Sequence, residues 1–127
     1  MDMATSVQEM MAAANAAVPR LTPEQVREKL AAGAVLLDVR DPTEVAASGK
    51  IAGAVAVSRG MLEFRADPAS PSHLPALRKD LPVLTYCASG GRSALAGKTL
   101  LDFGYGEVFN AGGFKDLAAA GLPTEPA

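Results

Sequence analysis

Val83-Leu84-Thr85-Tyr86-Cys87-Ala88-Ser89-Gly90-Gly91-Arg92-Ser93 is the stretch that decides how this chain is read. The short apolar run Pro82–Tyr86 has the length and composition of a strand and delivers Cys87 to a turn. Gly90 and Gly91 let the backbone curl, and a helix is expected from about Ser93 to Phe103. Strand, glycine turn and helix in that order form the unit from which parallel sheets are built. In such a turn the N–H groups of Ala88–Arg92 can converge on one point, a nest for an anion at the helix N-terminus. A thiolate placed there gains as a bound anion would. Cysteine pKa values, ordinarily near 8.5, fall to roughly 3.5–7.5 at helix N-termini or beside cations. A lone cysteine is often just a small buried hydrophobe. That role calls for neither two glycines, nor an arginine, nor a helix start, so Cys87 is read as a nucleophile.

Outward from the loop the same alternation recurs. Ala34–Val39, Ala54–Val57 and Glu107–Asn110 are short apolar runs, read as further buried strands. Thr22-Pro23-Glu24-Gln25 opens a helix, with Thr22 as N-cap, Pro23 at the first position and Gln25 completing a capping box; Gly33 ends it. Asp41-Pro42-Thr43-Glu44 opens another through Ala47, stopped by Gly49. Arg59–Ala66 reads as a brief helix, Asp67–Pro75 as a loop, and Gly113–Ala120 as a last helix before a Pro-rich end. Ahead of all these, Val7, Met10, Met11, Ala14 and Val18 recur at helical spacing as far as Pro19. Their apolar stripe faces either the domain or a second subunit. The expectation is an α/β fold: a small doubly wound parallel sheet with an extra N-terminal helix, residues 1–20 forming the extension and 21–127 one domain. Ligands of such sheets bind beyond the carboxyl ends of the strands. That rule points to Asp38–Asp41, Ser58–Arg59 and Tyr86–Ser93.

Composition argues mainly by exclusion. One cysteine in 127 residues forbids an internal disulfide, a dithiol pair and every multi-cysteine zinc or iron–sulfur site. The single histidine, His73, leaves little for a His-based metal cage, and between Pro71 and Pro75 it is expected to be an exposed loop residue. Twelve basic and fourteen acidic side chains, interspersed, give a net charge of −2 and no basic footprint for nucleic acid. No apolar run approaches the ~18–20 residues that cross a bilayer. Asp2 and Glu9 stand where a secretory leader carries positive charge. The reading is a cytoplasmic protein, with neither nucleic acid nor membrane as partner, whose thiol stays reduced.

Four segments, in order, resemble the rhodanese-like sulfurtransferases over about residues 21–123. Val35-Leu36-Leu37-Asp38-Val39-Arg40-Asp41-Pro42 is similar to the family's early strand and Asp-x-Arg turn. Gly49-Lys50-Ile51-Ala52-Gly53-Ala54 resembles its Gly-His-Ile-Pro-Gly-Ala motif. Cys87 through Ser93 resembles its active-site loop, and Gly112-Gly113-Phe114 with Gly121-Leu122-Pro123 its C-terminal signature. The resemblance implies sulfur transfer without a cofactor. Thiolate Cys87 takes the outer sulfur of a donor such as thiosulfate and becomes a persulfide. Cyanide, an external thiol or an acceptor protein then removes that sulfur. Ala88, Ser89, Gly90, Gly91 and Ser93 would cradle the anionic sulfur, with the Ser89 and Ser93 hydroxyls as further donors. Arg92 would orient the loop or meet the departing anion. Asp38 and Arg40 would pair at the strand end and support the loop from behind.

The chain departs from the family pattern at Lys50 and Ala52, where His and Pro are usual, and at Leu117, in the place of a frequent Trp. Ala88 stands where thiosulfate-preferring relatives carry a basic residue, so attraction for a dianionic donor is expected to be weaker. Arg59 and Arg65 would compensate if their segment overhangs the site, with Met61, Leu62 and Phe64 as core or as a lip of the pocket. Two rival readings stand beside this one. A cysteine phosphatase or arsenate reductase also pairs a thiolate with an amide nest and an arginine, but with five residues between them; here four intervene and Tyr86 precedes the cysteine. A non-catalytic binding module would have no need of Cys87.

Overall fold

A computed structural model describes residues 5–127. Asp2, read above against a leader, lies outside the described residues. In chain order the elements are α1 (Val7–Ala17), α2 (Pro23–Ala31), β1 (Val35–Asp38), α3 (Pro42–Ser48), β2 (Lys50–Ile51) and β3 (Val55–Ala56). A 3₁₀ turn (Arg59–Met61) then leads into α4 (Leu62–Ala66), followed by β4 (Val83–Cys87), α5 (Gly91–Asp102), β5 (Val108–Gly113), α6 (Phe114–Ala119) and β6 (Thr124–Glu125).

Helix starts follow their caps. Thr22 Oγ1 accepts from the Gln25 N–H at 3.2 Å while the Thr22 N–H donates to Gln25 Oε1 at 2.8 Å, the reciprocal box foreseen from the sequence. The four-stranded sheet has the order β3-β1-β4-β5, every pair parallel. The chain therefore leaves β3 at one edge, passes over β1 and lands at β4. That switch in direction opens a crevice at the carboxyl ends of β1 and β4, where such sheets hold ligands. Asp38 ends β1, Cys87 ends β4, and Asp38 pairs in register with Tyr86.

β4 is buried along its whole length, so successive side chains enter two different cores. Leu37, Val83 and Cys87 face a core closed by Leu62, Ala96, Leu100 and Tyr105. Leu36, Leu84 and Tyr86 face a second, closed by Val26, Ile51, Leu117 and Leu122. Leu117, where the family pattern has a frequent Trp, is fully buried in this second core. The N-terminal helix lies on its own domain: Ala14 and Val18 are buried, and Val18 packs onto α5 at Gly97. Val7 and Met10, at the outer end of the stripe, stay exposed.

Four features differ from expectation. The helix after Cys87 begins at Gly91 rather than Ser93, because Gly90 itself caps it with φ +106°, a conformation that suits glycine. β5 runs on to Gly113, helped by a register shift opposite Thr85/Tyr86 and by Asn110 Oδ1 accepting from the Gly112 N–H at 2.9 Å. The Pro-rich end is not loose: β6 pairs antiparallel with β2, and Lys50 Nζ bonds Glu125 Oε1 at 2.6 Å. His73 is half-buried rather than exposed, its Nε2 3.1 Å from the Leu77 carbonyl. Among the described residues no helix is long and apolar enough to cross a membrane.

Candidate active site

Cys87 is the last residue of β4 and only 1% exposed. The turn after it wraps back on its sulfur. The Gly90 N–H donates to Cys87 Sγ at 3.1 Å, and Ser93 Oγ lies 3.4 Å away. Burial alone would push the thiol pKa up. Hydrogen bonds from the Ser93 hydroxyl and from the amides of Ser93, Gly90 and Ser89 outweigh it, and the thiol falls below its ordinary value. Donors of this kind at a helix N-terminus favour the thiolate, and burial leaves it weakly hydrated.

A polar floor holds this turn in shape. Asn110, 1% exposed on β5, donates from Nδ2 to the Gly90 carbonyl at 3.0 Å and accepts at Oδ1 from the Ser93 hydroxyl at 2.8 Å. Thr85 Oγ1 donates to the Ser93 carbonyl at 2.8 Å. No buried side-chain polar atom among the described residues lacks a partner. Gly113 permits the close approach of β5 to the turn: a Cβ there would meet the Ala88 carbonyl oxygen at 2.5 Å and Ser89 Cα at 3.1 Å. From the other side the Arg20 guanidinium lies over Gly90 and Gly112 and reaches the Ser89 carbonyl at 3.5 Å.

Arg92 occupies the first turn of α5, near enough to Cys87 for a thiolate there to act on its charge. Its two terminal nitrogens bond Glu44 Oε1 and Oε2 at 2.5 and 2.9 Å. The guanidinium holds the Glu44 carboxyl down at about 2, and in turn the carboxylate raises the Arg92 pKa. At the end of β1, Arg40 forms a fork on Asp38, with Nε and Nη2 3.0 and 2.7 Å from its oxygens. Arg40 also reaches Ser48 Oγ and the Gly49 carbonyl, both at 2.8 Å, and lies 4.4 Å from the Phe114 ring centroid. The Tyr86 hydroxyl donates to Asp38 at 2.7 Å, and burial followed by that carboxylate raises its pKa. Asp38 and Arg40 therefore tie β1 to α3, β4 and α6 one layer behind the turn.

A cavity of about 200 Å³ opens beside Ala88, lined by Arg40, Glu44, Ser48, Phe114 and Lys115. Arg59, Phe64 and Arg65 do not line it. Arg59 bonds Glu63 and Thr99, each at 2.9 Å, and faces a cavity shared with Met10 and Leu95. Arg65 contacts the Ser72 carbonyl at 3.4 Å and lines another cavity with Pro42, Ser58 and Met61. Leu62 and Ala66 anchor α4 in the core, which leaves Phe64, midway between them, 57% exposed. Among the described residues no three His, Cys, Asp or Glu side chains gather as metal ligands would. Glu44, Asn110 and Arg20 were not singled out from the sequence. Glu44 showed only as a helix-start residue, Asn110 only as a polar residue closing an apolar run, and Arg20 carried no signal.

Comparison with known proteins places this geometry. The rhodanese-like domain model matches residues 22–120. A sulfurtransferase of Allochromatium vinosum is 35% identical over 109 residues, 84% of this chain and 94% of that protein. The thiosulfate sulfurtransferase GlpE of Stutzerimonas stutzeri is 33% identical over 97 residues, covering 76% of this chain and 81% of the relative. Among solved structures, a Rhodopseudomonas palustris protein of unknown function, described as a possible tyrosine phosphatase, superposes with a TM-score of 0.86 at 37% identity, covering 98% of each chain. The polysulfide-sulfur transferase homodimer of Wolinella succinogenes superposes with a TM-score of 0.73 at 33% identity, covering 94% of this chain and 87% of that one. With most of its length matched, the turn around Cys87 included, the chain belongs to the rhodanese-like domain family.

Proposed function

We propose that the protein is a sulfurtransferase that carries sulfane sulfur on Cys87 as a persulfide, taking it from a donor, with thiosulfate as the assay form, and passing it to cyanide or a thiol. The observation that carries this reading is the buried Cys87 sulfur, its pKa brought below the ordinary value by Ser93, Gly90 and Ser89. Thiolate Cys87 attacks the outer sulfur of the donor; the new S–S bond forms as the donor's bond breaks, and the leaving group departs with the electron pair. The anionic outer sulfur of the persulfide would then sit over the turn formed by Ala88, Ser89, Gly90, Gly91 and Ser93, where fixed N–H dipoles need no reorganisation. Arg92 orients the turn from α3's side, and Asp38 with Arg40 holds the strand end behind it. Residues 21–127 form the working unit on this reading, with residues 1–20 appended, and the compartment is the cytoplasm, where thiols stay reduced. The names borne by the relatives from Allochromatium and Stutzerimonas support the same chemistry.

A phosphatase reading takes its support from the description of the Rhodopseudomonas protein. Only four residues separate Cys87 from Arg92, and both terminal nitrogens of the arginine are bonded to Glu44. Intact-protein mass spectrometry separates the two readings. After exposure to a sulfane donor, one sulfur should add, leave on cyanide treatment, and fail to add in Cys87→Ser. Hydrolysis of a phosphate ester with no sulfur uptake would refute the proposal, and neither activity would leave a binding module.

A further inference from the structure

The turn that holds the thiol carries a single cation, Arg92, and that cation is already engaged. Glu44 takes both terminal nitrogens of the guanidinium. Asp41, the residue before α3, adds a second negative charge to the field at Arg92. Glu44 stays ionised down to about 2, so the pairing persists at neutral pH. The remaining nearby cations do not make up the deficit. Arg40, which lines the cavity beside Ala88, is charge-paired with Asp38 and further held by Ser48 and Gly49. Lys115, lining the cavity beside Ala88, is matched in charge count by Asp41; Arg20, which lies over Gly90 and Gly112 and reaches the Ser89 carbonyl at 3.5 Å, does not line that cavity. That cavity also offers Phe114 and the Ala88 methyl, surfaces suited to carbon rather than to a sulfonate.

From this arrangement we infer that Glu44 masks Arg92 and thereby selects the sulfur donor: hydropersulfides of small organic thiols in preference to the thiosulfate dianion. The inference rests on the sulfur-transfer reading above. The two loading steps differ in what must leave beside Glu44. With thiosulfate, Cys87 thiolate takes the outer sulfur and sulfite departs as a dianion with the bonding pair. With a hydropersulfide, Cys87 thiolate attacks the terminal sulfur and the S–S bond of the donor breaks. The parent thiol leaves as a thiolate that takes up the proton of the transferred sulfur. A dianion would meet the Glu44 carboxylate at both ends of the step; an organic thiolate carries one charge and can lay its carbon chain on Phe114.

The test measures initial rates of sulfur addition to Cys87 by intact mass in the full chain, with thiosulfate and with 2-mercaptoethanol hydropersulfide as the two donors. In the native protein the hydropersulfide should load faster by about tenfold or more, and in Glu44→Gln the thiosulfate-to-hydropersulfide rate ratio should rise by about tenfold. The gain should shrink in about 0.5 M KCl, because it is electrostatic. Asp41→Asn, which keeps a competent N-cap, should raise the same ratio by a smaller factor, so the inference remains testable if Glu44→Gln loosens the turn. An unchanged ratio in both variants, or a native preference for thiosulfate, would overturn the role of Glu44 while leaving sulfur transfer intact. Failure of both donors to load the native protein would instead remove the reading on which it rests.

Discussion

Two arginine–carboxylate pairs stand at the carboxyl end of the sheet, and they differ in almost everything except chemistry. Arg40 and Asp38 are 4% and 0% exposed, and their spare donors and acceptors are used by Ser48, Gly49 and Tyr86. Arg92 and Glu44 are 37% and 34% exposed and, apart from a 3.2 Å bond from the Asp41 N–H to Glu44, have only each other. A buried pair of this kind is costly to assemble and costlier to break, since either partner alone is an uncompensated charge in a dry site. An exposed pair is worth little to stability, because water replaces whichever partner is lost. The first pair therefore serves the fold, and the second is free to serve the reaction.

Removing the carboxylate of the buried pair is the strongest way to break that contrast. Asp38→Ala should lower the unfolding free energy by about 3–5 kcal/mol in urea titrations, and a loss below about 1 kcal/mol would make the two pairs equivalent. Next comes the close approach of β5 to the turn that holds the thiol. Gly113→Ala places a methyl 2.5 Å from the Ala88 carbonyl oxygen, which should cost about 1–3 kcal/mol and slow sulfur uptake by Cys87. Uptake at the native rate would mean that the turn need not keep its shape.

The third test leaves both pairs intact. Ser93→Ala removes the strongest of the donors that lower the Cys87 pKa. The thiolate form should retreat to higher pH, and iodoacetamide alkylation at neutral pH should slow by roughly tenfold, as for the loss of a hydrogen bond to a charge. An unmoved pH profile would assign the lowered pKa to the backbone alone. The smallest effect belongs to the exposed pair: Glu44→Gln should cost about 0–1 kcal/mol at neutral pH. Glu44 is depressed from 4.5 to about 2 in the folded chain. Its contribution is thus complete above 4.5 and lost as pH falls through about 2, where the two proteins should converge in thermal melts.

The same contrast marks what could be read from residues alone. Strands and helices declare themselves through local pattern: apolar runs for β1, β4 and β5, and N-caps for α2 and α3. The Cys87 turn declares itself because its glycines are adjacent to the thiol in sequence. Glu44 finds Arg92 across 48 positions and Arg20 finds Ser89 across 69, and no local pattern carries such a partnership. β2 and β6 escape for a related reason. Two residues have no periodicity, and the ribbon exists only because the chain end returns to Lys50. Arg59, Phe64 and Arg65 were placed near the site by their proximity in sequence to a strand end, and the anchoring of α4 through Leu62 and Ala66 turned them elsewhere.

Ser93 Oγ stands between Cys87 Sγ and Asn110 Oδ1, and a hydroxyl has one hydrogen to give. While the sulfur keeps its proton, the thiol can donate to Ser93 and Ser93 to Asn110. Once the sulfur is an anion, that hydrogen turns towards it, and Asn110 Oδ1 still accepts from the Gly112 N–H. Arming the nucleophile then asks for rotation about a single C–O bond and no movement of any heavier atom. The resting and reactive forms of the site differ by the loss of the thiol proton and the turn of one hydroxyl hydrogen, a distinction that neutron diffraction can see and X-ray diffraction at ordinary resolution cannot.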